Sequence, residues 1–261
     1  MVDILKKICE NKLIEIEKSK EKCSISNLEK LIKDKKNRKF KNLLIESAGN
    51  KKNNIIAEIK KASPSAGMII EDYFPETIAA EYEKSGAGAI SILTEKKYFY
   101  GDLDHISILN KSTTLPIIRK DFIIDEYQIF ESKVYKADAI LLIASILDDE
   151  KIKKFLSLSE QCGMDCLIET HTEEELFRVI NIGYPIIGLN NRNLKNLSTD
   201  INNSLKLINK IPKDFVIVAE SGIKSKNEIS LYNDAGIYNF LIGESILKSN
   251  NYSDKFNELL N

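Results

Sequence analysis

The chain has 261 residues, and its 38 Lys and Arg nearly balance its 39 Asp and Glu for a formal net charge of −1, which argues against a nucleic-acid-binding protein with its basic excess. Hydrophobic residues make up 43% of the chain, too many for a disordered protein, yet the sequence shows neither a membrane-spanning apolar run nor the apolar block of a secretory signal. We therefore expect a cytoplasmic globular protein with no membrane or nucleic-acid partner.

Residues 1–48 are predicted to form a helical extension outside the main domain, which covers residues 49–261. Five apolar residues recur at the spacing of one helix face, namely Ile4, Leu5, Ile8, Leu13 and Ile16. A second helical stretch is predicted near residues 26–47. Beyond it the pattern changes, because short apolar runs now alternate with longer amphipathic segments.

Eight short apolar runs follow in the rest of the chain. Each is rich in Val, Ile and Leu without clean two-residue alternation, which is typical of strands buried on both faces of a parallel sheet. The runs cover residues 55–60, 89–94, 116–120, 138–143, 164–169, 185–190, 215–220 and 239–243.

The segments between the runs carry signals of helix ends. Pro75 is suited to a first helical turn, and Asp148 to an N-cap. Thr172 with Glu175 three residues later predicts a capping box. Glycines placed for helix C-caps precede the next apolar run at Gly86, Gly163, Gly183 and Gly236.

Eight strand–helix units of about 24 residues each favour an α/β fold, a (β/α)8 barrel on which the N-terminal extension packs. A doubly wound open sheet is the structural alternative. The sequence has neither G-x-G-x-x-G after the first strand nor G-x-x-x-x-G-K-[ST], so dinucleotide and P-loop nucleotide binding are unsupported.

The four cysteines are too few and too scattered for a disulfide framework. Cys162 and Cys166 form C-x3-C, but no second Cys or His pair follows at zinc-finger spacing. We therefore expect buried free thiols and no metal.

Polar residues close five of the eight predicted strands, where a buried strand has little reason to contain charge. In a (β/α)8 barrel these C-terminal strand ends form the active-site face. Two lysines and three glutamates around one mouth are suited to general acid–base catalysis. The six residues are Glu58, Lys60, Lys120, Glu169, Asn190 and Glu220.

Two glycine-containing turns predict a phosphate site. The seventh strand runs into Ser221 and Gly222, and the eighth into Gly243, Glu244 and Ser245. Glycines let backbone N–H groups approach an anion, and the last two loops of a barrel commonly bind phosphate.

These residues also lie in segments that resemble a known family. The segment IIAEIKKASPSAG (55–67) closely resembles the signature of indole-3-glycerol-phosphate synthases, which runs E-x-K-x-x-S-P-S after the first strand. RKDF, GLNNRNLK, VAESGI and FLIGESIL resemble later segments of that family in the right order. The similarity covers about residues 25–250, and the family shares the helical N-terminal extension.

The resemblance implies a reaction without cofactor or metal. The family closes the pyrrole ring of 1-(2-carboxyphenylamino)-1-deoxyribulose 5-phosphate, releasing CO2 and water to give indole-3-glycerol phosphate in tryptophan biosynthesis. By this resemblance Lys120 is the general acid, Glu169 acts as base or acid in loss of the hydroxyl, and Lys60 contacts anionic groups of the substrate.

The resemblance implies further roles for the remaining site residues. Glu58 would orient Lys120, Asn190 would bind the ribulose portion, and Glu220 would complete the charged ring. Substrate contacts are implied for three further groups of residues. The phosphate would be held by Ser221, Gly222, Gly243 and Glu244. The aromatic ring would contact Phe99, Phe122, Leu141 and Leu241, and the polar positions near the mouth are Ser63 and Arg192.

Two other functions stay open from the residues: a phosphate-binding barrel isomerase acting on phosphoribosyl anthranilate, and a non-catalytic barrel. Neither requires both the extension and the trio of Glu58, Lys60 and Lys120. For His171, two residues beyond Glu169, a place near the site is the alternative to the surface or capping role that we expect.

We also expect a monomer or weak homodimer that binds a phosphorylated small molecule.

Overall fold

The computed structural model describes residues 4–193 and 198–261, so residues 1–3 of the predicted extension lie outside the described residues. Ten strands lie within these ranges. In chain order they are β1 (Asn54–Ile59), β2 (Ala62–Ser63), β3 (Gly67–Met68), β4 (Ala89–Leu93), β5 (Ile117–Lys120), β6 (Ala139–Ile143), β7 (Asp165–Thr170), β8 (Ile186–Asn190), β9 (Val216–Glu220) and β10 (Asn239–Ile242).

Eight of these strands form a closed parallel barrel in the order β1-β10-β9-β8-β7-β6-β5-β4, and β1 pairs with both β10 and β4. The short β2 and β3 pair antiparallel to each other just after β1. The predicted (β/α)8 barrel is therefore confirmed, and the doubly wound alternative is wrong because the sheet has no open edge among the described strands.

The helices alternate with the barrel strands after three N-terminal helices. In chain order they are α1 (Ile4–Lys22), α2 (Ile25–Leu31), α3 (Phe40–Gly49), α4 (Pro75–Ser85), α5 (Lys96–Phe99), α6 (Asp104–Ser112), α7 (Tyr127–Val134), α8 (Asp149–Gln161), α9 (Glu173–Ile182), α10 (Asn202–Ile208), α11 (Lys226–Asp234), α12 (Glu244–Leu247) and α13 (Tyr252–Leu260). A short 3-10 turn at Ala144–Ile146 follows β6. Within the described ranges, no helix is long and apolar enough to cross a membrane.

The inside of the barrel is an apolar layer that supports the charged strand ends. Ile56, Ile118, Leu167 and Val218 are buried in this layer. Residues two apart in a strand face the same side, so each of these side chains lies one layer below a predicted site residue of its own strand. At the opposite end, Phe40 and Leu44 of α3 pack into the same layer. A second apolar layer lies between the strands and the surrounding helices.

Several predicted helix ends are confirmed. Pro75 opens α4, and the Asp148 carboxylate caps α8 by accepting a 2.7 Å hydrogen bond from the Lys151 N–H. Gly86 and Gly183 end α4 and α9 with φ of 102° and 83°, a left-handed conformation that favours glycine.

The predicted capping box at Thr172 is only half correct. The Thr172 hydroxyl accepts from the Glu175 N–H at 3.2 Å, as expected. The Glu175 carboxylate, however, accepts its 2.7 Å hydrogen bond from the backbone N–H of His171, the residue before the N-cap. The return bond therefore fixes the residue that follows β7, close to the barrel mouth.

The single helical stretch predicted near residues 26–47 is wrong, because α2 and α3 are separated by eight non-helical residues. Hydrogen bonds to the barrel hold this connection. Arg38 donates its N–H to Asp138 at 2.8 Å, and Lys133 Nζ donates to the carbonyl of Lys36 at 2.8 Å. Periodicity alone did not indicate the break because tertiary contacts outweigh helix propensity here.

Candidate active site

A cavity of about 550 Å3 opens at the C-terminal ends of the barrel strands, the face that carries active sites in this fold. All sixteen side chains and backbone positions predicted from the sequence line it. Their chemical roles remain predictions, whereas their placement around one cavity is an observed property of the fold.

Lys120, at the end of β5, lies between two carboxylates. Its Nζ is 2.8 Å from Glu169 Oε2 and 2.8 Å from Glu220 Oε2. The three residues come from β5, β7 and β9, and only 14% of the Lys120 side chain and 1–3% of the two carboxylate side chains are exposed. A buried ammonium of this kind is held in its charged form by its partners.

The charges of this cluster give its members different protonation states. Burial alone would lower the pKa of Lys120, but Glu169, Glu220 and Glu58 outweigh burial and raise it. Burial would raise the pKa of Glu169, but Lys120 and His171 together outweigh burial and lower that pKa. Burial raises the pKa of Glu220, helped by the nearby Glu169 charge. The cluster thus combines an ammonium, a carboxylate and a carboxyl group that retains its proton more strongly.

Glu58 and Lys60 form a second pair at the end of β1, with Lys60 Nζ in contact with Glu58 Oε1. Burial would raise the pKa of Glu58, but the charges of Lys60 and Lys120 outweigh it and lower the pKa. Gly243 lies directly against this carboxylate, since a Cβ at that position would be 2.6 Å from Glu58 Oε1. The absence of a side chain at Gly243 therefore makes room for Glu58.

Asn190 and Arg192 connect the mouth to the loop after β1. Asn190 Oδ1 accepts a 2.9 Å hydrogen bond from the Arg192 N–H. The Arg192 guanidinium donates to Ser65 Oγ at 2.6 Å and lies 3.9 Å from Glu244 Oε2. In the same loop Ser63 Oγ accepts from the Ala66 N–H at 3.1 Å.

The turn after β9, where phosphate binding is predicted, has an unusual backbone. Ser221 and Gly222 are consecutive residues with φ of 65° and 83°. Successive backbone N–H groups in a turn can form a concave site for an anion. A Cβ at Gly222 would be 2.7 Å from Thr199 Cγ2, so glycine is also required by space. Gly243 and Glu244 lie at the start of α12 on the same side of the cavity.

Two rings and two leucines belong to the apolar lining of the cavity. The ring centroids of Phe99 and Phe122 are 6.2 Å apart, with planes inclined by 42°. Leu141 and Leu241 are buried and belong to the apolar layer inside the barrel. The cavity therefore offers an apolar surface as well as the charged cluster.

Sequence reasoning missed the part of the site that α1 supplies. Ile4 and Ile8 of α1 line the cavity. The buried Lys12 of the same helix pairs with Asp121, the residue after Lys120, with 3.1 Å between Nζ and Oδ1. The amphipathic pattern of the first helix was visible, but its apolar face carried no sign of where it packs.

Sequence reasoning also missed two neighbours of the charged cluster. A Cβ at Gly188 of β8 would lie 2.1 Å from Glu220 Oε1, so this glycine admits the carboxylate. The predicted surface or capping role of His171 is wrong, because only 9% of its side chain is exposed and its Nε2 lies 3.1 Å from Glu169 Oε1. The fold turns His171 inward after β7.

The fold and site define a (β/α)8-barrel enzyme with a buried cluster of charged side chains beside a glycine-containing turn. The family model described as indole-3-glycerol phosphate synthase matches residues 5–259. The chain belongs to the indole-3-glycerol phosphate synthase family, which groups lyases of tryptophan biosynthesis.

Individual relatives agree with this assignment. The chain is 44% identical over 259 residues to the indole-3-glycerol phosphate synthase of Acetivibrio thermocellus, covering 98% of each chain. It is 42% identical over 258 residues to that of Endomicrobium trichonymphae, covering 98% of this chain and 99% of the relative. Among solved structures, 3-hexulose-6-phosphate synthase from Salmonella typhimurium matches with a TM-score of 0.62 at 10% identity, covering 79% of this chain and 96% of that chain. This last likeness shows the barrel fold alone.

Proposed function

We propose that this protein closes the pyrrole ring of 1-(2-carboxyphenylamino)-1-deoxyribulose 5-phosphate and releases indole-3-glycerol phosphate, CO2 and water. One observation carries the proposal: the buried Lys120, held between Glu169 and Glu220, faces the cavity in a chain of this family. Ring closure requires a proton donor at the ketone and a base that later removes a proton, and this cluster holds both kinds of group.

Lys120 is the proposed general acid of the first step. As the ring carbon attacks the ketone carbon, negative charge develops on the ketone oxygen, and an ammonium within reach lowers the barrier by donating a proton. The carboxylates that raise the pKa of Lys120 ensure that it is charged when substrate arrives. The carboxylate of Glu58 is close enough for its charge to interact with that of Lys120, and it helps to orient Lys120. Lys60, which contacts Glu58, shares the acid role.

Glu169 is the proposed base of the later step. After CO2 has left, the hydroxyl departs as water while a proton leaves the methylene carbon beside the nitrogen. A carboxylate with a lowered pKa is ionised and available to take that proton. Glu220 would complete the charged ring, and Asn190 would hydrogen-bond the ribulose portion.

The two ends of the substrate match two sides of the cavity. Ser221, Gly222 and the backbone of Gly243 and Glu244 are proposed to hold the phosphate, supported by the consecutive left-handed residues of this turn. The aromatic ring is proposed to lie between Phe99, Phe122, Leu141 and Leu241. Ser63 and Arg192 are proposed as polar contacts at the mouth. We also propose that the protein acts in the cytoplasm, as a monomer or weak homodimer; its four cysteines form no disulfide, which is in keeping with a reducing compartment.

Fluorescence tests the proposed reaction directly. The chain has no Trp, so excitation where indole absorbs and tyrosine hardly does gives almost no protein background. A rising indole signal with the carboxyphenylamino substrate is the expected result. A flat trace from folded protein would contradict the proposal, and turnover of phosphoribosyl anthranilate instead would assign the barrel to sugar-phosphate isomerisation.

A further inference from the structure

The proposed ring closure consumes one proton from solvent in every turnover, and this inference rests on that proposed function. A bond forms between the ring carbon and the ketone carbon. The bond to the carboxyl carbon then breaks, its electron pair restores the aromatic ring, and the carboxylate leaves as CO2. The ketone oxygen takes up two protons and departs as water, while the methylene carbon gives up one. The buried cluster must therefore be supplied with one proton per cycle.

The geometry around Glu169 places His171 and Glu175 in a row of titratable groups that runs outward from the cluster. Lys120 Nζ pairs with Glu169 Oε2, and His171 Nε2 lies 3.1 Å from the other carboxylate oxygen, Oε1. On its far side His171 Nδ1 lies 3.5 Å from Glu175 Oε2. Exposure of the side chains rises outward along this row, from 3% for Glu169 to 9% for His171 and 14% for Glu175.

We propose that His171 is a proton relay that acts through Glu169, passing to the buried cluster the solvent proton that each turnover consumes. Imidazole is suited to this task because it binds a proton on one nitrogen and releases it from the other. His171 is not among the described residues that line the cavity, so its effect is exerted through Glu169 and not by contact with substrate.

The surroundings of His171 keep it in place and charged. Within the described part of the chain, the charged groups that pair with its ring are Glu169, from the preceding strand β7, and Glu175, from α9. Its backbone is held by Glu175, which accepts from the His171 N–H at 2.7 Å, and by Asn203, which donates to the His171 carbonyl at 3.1 Å. Burial alone would lower the pKa of His171, but the two carboxylates outweigh burial and raise it to about 9. A proton is thus held beside Glu169 at neutral pH.

The test compares His171→Gln with His105→Gln under steady-state conditions in the fluorescence assay. His105, the other histidine of the chain, lies outside the cavity lining, and its ring is packed edge-on against Tyr73. We expect kcat of His171→Gln to fall about 10-fold or more at low buffer concentration, within the usual weight of proton transfer, while KM changes less than about 2-fold. His105→Gln should keep wild-type kcat.

Two further readouts separate a relay from a purely structural histidine. A small acid such as imidazolium, added as buffer, should restore part of the kcat of His171→Gln and leave the wild type unchanged. The kcat of the variant should also decline more steeply than wild type as pH rises above neutrality, because solvent acid becomes scarce. Wild-type kcat in His171→Gln, or a loss that neither buffer nor pH alters, would overturn the relay.

Failure of the relay and failure of the proposed function give different results in these variants. If wild type and His105→Gln both fail to form indole, the proposed function is wrong. If His171→Gln does not fold, as judged by urea unfolding, Glu175→Gln removes only the outer carboxylate and leaves the ring in place. We then expect a smaller loss of kcat with the same rescue by imidazolium, and a buffer-independent kcat would overturn the relay.

Discussion

At the scale of single residues, the chemistry depends on a lysine whose charge is maintained in a buried place. Burial removes the hydration of the Lys120 ammonium, and ion pairs with Glu169 and Glu220, each at 2.8 Å, compensate for that loss. The same contacts that keep it charged also hold its position, because two partners on two other barrel strands, β7 and β9, restrict a flexible side chain.

Removal of this ammonium is the first residue-scale prediction. Lys120→Met should lower kcat by roughly 10²-fold or more while KM changes little. The reason is that the ammonium acts on the negative charge that develops on the ketone oxygen in the transition state. Lys111→Met, an exposed position at the end of α6, is the matched control. Steady-state indole fluorescence measures both, and wild-type turnover in Lys120→Met would refute the acid assignment.

Gly243 offers a second test, based on space. Gly243→Ala places a Cβ 2.6 Å from Glu58 Oε1, so the carboxylate must move away from Lys60. We expect kcat to fall about 10-fold or more, since misplacement of this order at a catalytic group is costly. Gly49→Ala meets no atom within 4 Å and should be neutral. Equal kcat in the two variants would show that Glu58 is not required in its present position.

His171 links protonation to stability with a definite sign. Its pKa is raised in the folded protein to about 9, so its contribution is fully present below the unfolded value of about 6.5 and is lost as pH rises through about 9. The free energy of unfolding of wild type should therefore fall by about 2–3 kcal/mol more than that of His171→Gln between pH 6 and pH 10. Urea unfolding at both pH values measures this difference, and parallel pH dependence of the two proteins would contradict it.

At the scale of elements, α1 is tied to the loop that follows the strand carrying Lys120. Lys12 Nζ pairs with Asp121 Oδ1 at 3.1 Å, and Lys20 Nζ pairs with Asp125 Oδ2 at 2.9 Å. Asp121 also receives the Arg119 guanidinium at 2.9 Å. The helix thus packs its apolar face at the cavity while its lysines hold it to the barrel. The division of the chain after residue 48, which falls in the last turn of α3, stays a prediction.

Breaking the inner ion pair should loosen α1 specifically. Lys12→Met leaves the buried Asp121 with one cation fewer, a change that typically costs about 3–5 kcal/mol for a buried pair. We expect faster amide hydrogen exchange in α1 and a raised KM, because Ile4 and Ile8 line the cavity. Lys18→Met, an exposed position on the same helix, is the control. Unchanged exchange in α1 would show that the apolar face alone docks the helix.

At the scale of the whole molecule, closure of the barrel brings distant parts of the chain to one cavity. Residues from Ile4 to Lys255 line it, so ligand binding should stabilise the chain as one unit. Indole-3-glycerol phosphate at about 100 times its Kd should add roughly 2.7 kcal/mol to the free energy of unfolding. Thermal unfolding with and without the product measures this, and an unchanged Tm at saturating product would contradict binding in this cavity.

The sequence by itself determined the class of fold and the family. Eight apolar runs separated by helix signals indicated parallel strands buried on both faces, and their even spacing favoured a closed barrel over an open sheet. The polar strand ends could also be identified from the sequence, since a charged residue directly after a run of apolar residues stands out without any knowledge of the fold. Glu58, Lys120, Glu169 and Glu220 were picked out on that basis.

Only the tertiary structure decided which groups touch. The position of Lys120 between Glu169 and Glu220, the inward turn of His171 and the docking of α1 through Lys12 join residues far apart in the chain. Such contacts depend on strand register and barrel closure, which the hydrophobic periodicity of a sequence does not indicate. The break between α2 and α3 has the same origin, because hydrogen bonds from the barrel to residues 36 and 38 outweigh a local helical preference.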